Sequence, residues 1–155
     1  MKPMPYFLKK DSPEYWDRYP SHIVEMGQIM KASELTPATM HVLGDPSDET
    51  APTALIFTMP PNSVLPRHAP SCERFEVILE GSLRVEDDDL ELVAGDIMIA
   101  HPGEAYGPHT AGPDGCRTLE IFSTLAGAHT NLIETPDGMV TIDFGSLEAL
   151  DKSRP

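Results

Sequence analysis

Arg74-Phe75-Glu76-Val77-Ile78-Leu79-Glu80-Gly81, continuing into Ser82-Leu83-Arg84-Val85, is the stretch on which the fold turns. Alternation along an extended chain puts Arg74, Glu76 and Ile78 on one face and Phe75, Val77 and Leu79 on the other. A wholly apolar row therefore stands opposite a row with two charges. In one arrangement the apolar row packs the core and Arg74 and Glu76 meet water. In the other the charged row points into a barrel, and a second layer or another subunit covers the apolar row. Alternation alone leaves both open.

Working outward, short strands and turns follow in quick succession. Upstream, Ala38 to Leu43 and Ala54 to Met59 read as strands, and His22 to Met30 is β-compatible. Downstream, Leu83 to Val85 is expected to follow a turn at Glu80-Gly81 as a hairpin partner. The acidic run Glu86-Asp87-Asp88-Asp89 is a solvated turn before Leu90 to Val93. Gly95-Asp96 precedes Ile97 to Ala100, and Arg117 to Ser123 is the last clear core strand. Ala111 to Cys116 reads as a turn-rich connector in which Gly115 can take a positive φ. Met139 to Phe144 could add an edge strand. Turn signals every eight to twelve residues indicate an all-β sandwich or barrel. One short helix is expected at Ser12 to Arg18, with Ser12 as cap and Pro13 in the first turn.

The whole 155-residue chain fits one domain, since domains commonly run to roughly 100–200 residues. The core barrel is expected at about residues 38–125, with an N-terminal arm (1–37) and a C-terminal extension (126–155). A formal charge of −14 repels phosphate backbones and anionic lipid, which argues against nucleic-acid or membrane partners. No apolar run approaches the roughly 20 residues of a membrane span, and the first residues lack the features of a secretory signal. Cys72 and Cys116 match no zinc spacing and are expected to stay reduced, with the cytoplasm as the address.

The segment from Pro60 to His109 resembles the cupin superfamily. Its first half reads Arg67-His68-Ala69-Pro70, then Glu73-Arg74-Phe75-Glu76-Val77-Ile78-Leu79-Glu80-Gly81. The second reads Gly95-Asp96-Ile97-Met98-Ile99-Ala100-His101-Pro102-Gly103, then Tyr106-Gly107-Pro108-His109. The resemblance covers about fifty residues and implies a double-stranded β-helix, or jelly-roll barrel. It also implies a site for a divalent metal, here with departures. Counting back from Gly81, His68 takes the first histidine position, Pro70 the second and Arg74 that of the glutamate. Tyr106 stands at the histidine position of the second motif, three residues before His109.

Glu76 lies on the same face as Arg74, one step along. The resemblance thus offers His68, Glu76 and His109 as a two-histidine, one-carboxylate set for iron, manganese, nickel or zinc. Arg74 and Tyr106 would bind substrate, and Glu76 and Tyr106 would serve as catalytic groups. A guanidinium inside a barrel needs a partner: Glu76, Glu120 or an anionic ligand would serve. His101 reads as a turn residue, His41 as a strand bystander or stray ligand, and His22 and His129 lack context. Ile78, Met98, Ala100 and Phe122 are expected to line the interior.

The resemblance implies a protein that transforms a small organic molecule. One reading is a metal-dependent enzyme, dioxygenase-like or a lyase or isomerase. A second is a metal-free isomerase or dehydratase working through Glu76 or His109 as acid/base. A third is a non-catalytic binding module. The apolar row Phe75, Val77 and Leu79 and the long N-terminal arm suggest a homodimer.

Overall fold

The computed structural model describes residues 19–20, 39–43, 47–128 and 130–143. In chain order the strands are Tyr19–Pro20 (β1), Thr39–Leu43 (β2), Thr53–Met59 (β3), Val64–Leu65 (β4), His68–Pro70 (β5), Arg74–Val85 (β6), Leu90–Val93 (β7), Ile97–Ala100 (β8) and His109–Phe122 (β9). A single helical turn, Leu125–Ala128 (α1), precedes Thr130–Thr135 (β10) and Gly138–Asp143 (β11). The helix expected at Ser12 to Arg18 and the strand expected from His22 to Met30 lie outside the described residues.

All pairings are antiparallel. The larger sheet runs β1-β2-β3-β9-β6-β7, with β4 also on β9 and β8 also on β6, and the smaller runs β11-β10-β5. The two long strands make this a jelly-roll, because β6 and β9 each change partners along their length. Arg74 to Val77 lie between β8 and the end of β9, whereas Ser82 to Val85 lie beside β7, with Val85 opposite His109.

Two expectations need correction here. Glu80-Gly81 does not reverse the chain, and Leu83 to Val85 continue the same strand instead of returning as its hairpin partner. The pairing slips at Ile78/Glu80 and again at Gly81/Leu83, so the strand bends where a turn was expected. Gly81 has φ 74°, and a Cβ there would fall 2.0 Å from the carbonyl oxygen of Gly115. Only glycine lets the two backbones approach so closely. Ala111 to Cys116 is likewise strand instead of connector, although Gly115 does carry a positive φ of 80°.

Burial decides the question of faces. Arg74 and Glu76 are 2% and 5% exposed, while Phe75 is 47% exposed. The charged row therefore points inward. It shares the interior with Leu55, Phe57 and Met59 of β3, Ile78 of β6, Phe122 of β9 and Ile133 of β10, which form one core cluster. Met98 packs against that cluster and Ala100 is buried. No helix among the described residues is long and apolar enough to cross a membrane.

Candidate active site in the barrel interior

His68 opens β5, and its Nδ1 lies 2.7 Å from the carbonyl oxygen of Pro66. A carbonyl only accepts, so Nδ1 carries the hydrogen and Nε2 is left with its lone pair. Tyr106 is fixed to His68 through the backbone. Its N–H donates to the His68 carbonyl at 2.9 Å, and the His68 N–H donates back at 3.0 Å. His109 opens β9 three residues later. Gly107 between them has φ 99°, and a Cβ there would come within 3.0 Å of His109 Cδ2. Glycine thus lets the His109 ring fold back against its own segment.

The three rings form one cluster. His68 and Tyr106 have centroids 4.7 Å apart, Tyr106 and His109 5.0 Å, and His68 and His109 5.4 Å. Both imidazoles are held uncharged. Burial, then the positive charge of Arg74, pushes His109 down to about 3 and His68 well below the ordinary histidine range.

Behind the rings lies a charge cluster built by strand register. Glu76 on β6 stands directly opposite Glu120 on β9, both facing inward. Arg74 bridges them, with NH1 3.3 Å from Glu120 Oε2 and NH2 3.4 Å from Glu76 Oε2. The bond to Glu120 is a hydrogen bond; the contact with Glu76 is an ion pair without hydrogen-bond alignment. The guanidinium carbon also lies 5.1 Å from the Tyr106 ring centroid, joining the two clusters. Burial raises Glu120 to about 7; Arg74 opposes this and the negative charge of Glu76 adds to it. Burial and the same two carboxylates push the neighbouring Cys116 thiol up to about 12, so it too is uncharged.

Among the described residues, the buried side-chain atoms lacking a hydrogen-bond partner are Arg74 Nε and NH2, Tyr106 hydroxyl, His109 Nε2, Thr118 Oγ1 and Asn131 Oδ1. Every one belongs to the interior. Thr118 is on the inward row of Glu120, and Asn131 stands opposite Pro70 on the row that pairs Ile133 with His68. Folded proteins leave few such groups unpaired. Their gathering on one inner surface marks a place for water or a ligand. A cleft of about 240 Å³ lined by Val85, Leu90, Ile97, Met98, Ile99 and Glu104 also touches Tyr106; His68, Arg74, Glu76, His109 and Glu120 do not line it.

The expected site residues thus fall into two touching groups: His68, Tyr106 and His109, and Arg74 with Glu76. Glu120 was legible as a partner for Arg74 but not as an acid/base group, and Asn131 was not legible at all. Both owe their place to cross-strand register, which a single sequence does not carry. His101 is an exposed turn residue with Nδ1 2.8 Å from Glu73 Oε2, and the carboxylate raises its pKa. His41 is placed only by its backbone, opposite Ile56; His22 and His129 lie outside the described residues. Cys72 and Cys116 are free thiols.

The donors at hand do not fit a divalent ion held by His68, Glu76 and His109. Two uncharged imidazoles meet, as ligands must, and His109 Nε2 is free. Glu76, however, faces Arg74, and no three His, Cys, Asp or Glu among the described residues are grouped as a metal centre requires. The guanidinium already acts electrostatically on both imidazoles.

No family model matches the chain, and no curated protein matches it. Solved structures do. An acetylacetone dioxygenase from Acinetobacter johnsonii aligns over 99% of this chain and 97% of its own, at 15% identity and a TM-score of 0.63. A protein of unknown function with a cupin-like fold from Ralstonia eutropha JMP134 aligns over 95% and 85%, at 11% identity and a TM-score of 0.59. An RmlC-like cupin from the same organism aligns over 76% and 71%, at 15% identity and a TM-score of 0.53. The chain has the cupin fold.

Proposed function

We propose that the protein is an enzyme of isomerase or lyase type that transforms a small organic molecule inside the barrel by moving a proton. The reading rests on one observation: among the described residues, the unpaired buried side-chain polar atoms face the same interior as an Arg-bridged carboxylate pair. In it, Glu76 and Glu120 form the proton-moving pair. One carboxylate takes a proton from a carbon beside a carbonyl, and the C–H electron pair moves onto the carbonyl oxygen. The Tyr106 hydroxyl donates a hydrogen bond to that oxygen, where negative charge develops. The proton then returns at a neighbouring position, or goes to a departing hydroxyl that leaves as water. A carboxyl that holds its proton to about 7 suits both directions of transfer near neutrality. The imidazoles, kept neutral, hold and polarise substrate without adding charge, and Arg74 fixes the pair.

A dioxygenase-like reaction on a divalent metal at His68, Glu76 and His109 is favoured by one feature, the two neutral imidazoles. Metal removal separates the readings. In a screen of small hydroxy-carbonyl compounds, turnover is expected to survive exhaustive chelation within about twofold and to be lost in Glu76→Gln. Turnover that appears only when iron, manganese, nickel or zinc is restored would sink the acid/base reading.

The outer face of the sheet bears on assembly. Phe75 pairs in register with Ile99 and Ile121, and Val77 with Ile97. Phe75, Ile97, Ile99 and Ile121 are 47%, 61%, 57% and 38% exposed, a contiguous apolar surface. We infer a homodimer in the cytoplasm that buries this face. Light scattering is expected to show a dimer that Phe75→Glu converts to a folded monomer. A wild-type chain that stays monomeric at micromolar concentration removes the inference.

A further inference from the structure

We propose that the barrel interior takes an uncharged, oxygen-bearing small molecule and rejects the matching carboxylate, because Arg74 is already neutralised by the Glu76–Glu120 pair. The proposal rests on the interior being the working site, as argued above, and adds the class of molecule it admits.

A buried arginine commonly invites the opposite reading, a clamp for a substrate carboxylate. Here the arrangement argues against it. NH1 donates to Glu120 at 3.3 Å and NH2 sits 3.4 Å from Glu76, with all three side chains nearly excluded from solvent. The cluster is therefore balanced if one carboxyl is protonated and carries one negative charge if neither is. An entering carboxylate would exchange water for a neutral or negative enclosure, and burying an unmatched charge is among the most costly steps in recognition.

What remains unpaired is suited to a neutral ligand. Arg74 Nε and NH2 and the Tyr106 hydroxyl can donate to carbonyl oxygens. Asn131 Oδ1 accepts from a hydroxyl or amide. Thr118 Oγ1 does either, and His109 Nε2 does so according to its tautomer. Donors and acceptors are both present, but no uncompensated positive charge is. Asn131 stands opposite Pro70, the position where the resemblance places a second imidazole, so the wall there offers an amide oxygen to the ligand.

The test compares isosteric pairs that differ in charge: pyruvamide against pyruvate, and lactamide against lactate. Binding is read from the ring resonances of Tyr106 and His109 in the full chain. The amides are expected to bind at least about tenfold more tightly than the acids. Read at pH 8, above the value of about 7 to which burial lifts Glu120, Glu120→Gln keeps the shape and removes one negative charge, and is expected to narrow that ratio by about tenfold. Glu76→Gln serves as the second variant, and the wild-type comparison stands alone if either fails to fold. Acids that bind as tightly as their amides, a ratio unmoved in a folded variant, or rings that respond to neither compound overturn the proposal. Discrimination without turnover would instead defeat the enzymatic reading and leave this one standing.

Discussion

Arg74→Met is expected to lower folding stability by about 3–5 kcal/mol at neutral pH, the cost of removing one partner from a buried ion-paired group. The side chains of Arg74, Glu76 and Glu120 are 2%, 6% and 9% exposed, so solvent screens the cluster little. Methionine fills much of the space but leaves two carboxylates facing each other across β6 and β9 with no cation between them. Domains are commonly stable by only about 5–15 kcal/mol, so the loss would take a large share of the whole. The two carboxyls can relieve repulsion by taking up a proton, so the penalty should shrink in acid. Adding Glu120→Gln to the variant should recover part of it, since neighbouring charges are not additive. Denaturant unfolding at two pH values measures both effects. A penalty below about 1 kcal/mol would mean that the guanidinium is not holding the pair.

That cluster also shows what the sequence made legible. Alternation put Arg74 and Glu76 on one face without ambiguity, because a period of two needs no knowledge of the partner strand. It could not say which face was inside, since an apolar outer row is equally consistent with a core row. The decision came from burial, which put Glu76 inside, where the register of two long strands sets it against Glu120 forty-four residues away. Glu120 was legible as a possible partner for Arg74, but its place directly across from Glu76 was not. The turn at Gly95-Asp96 was readable for a local reason: Gly95 takes φ 98°, and the Asp96 carboxylate accepts the Val93 N–H at 2.8 Å. Glu80-Gly81 carries the same glycine signal yet marks a bend in a continuous strand. A bulge and a turn both demand positive φ, so the residue type cannot tell them apart. The metal set that the resemblance implies depends on a detail of the same kind, the partner of Glu76. The resemblance implied that His68 and His109 meet, and Glu76 was legible as one possible partner of Arg74, but the choice between a metal and the guanidinium is not written in the spacing.

Glu120→Gln is expected to cut turnover by about a hundredfold or more, the scale on which positioned proton transfer contributes to catalysis. The same change carries a stability signature whose sign is fixed in advance. Folding lifts the Glu120 pKa from its ordinary 4.5 to about 7, so between those values the folded chain binds a proton that the unfolded chain has released. The stabilisation from that proton is fully present below 4.5 and is lost as pH rises through 7. Glutamine cannot lose it. The variant's melting temperature relative to wild type should therefore climb from pH 4 to pH 8, with most of the change across the 4.5 to 7 window. His68 and His109 act in the opposite direction, since their depressed values make stability fall as pH drops below 6.5. Both proteins keep those histidines, so their contribution cancels in the difference. A step near pH 7 in the wild-type pH–rate profile that disappears in the variant would tie the buried proton to the chemistry. Stability that responds as described while turnover and its pH profile stay unchanged would leave Glu120 a partner of Arg74 and hand the proton transfer to another group.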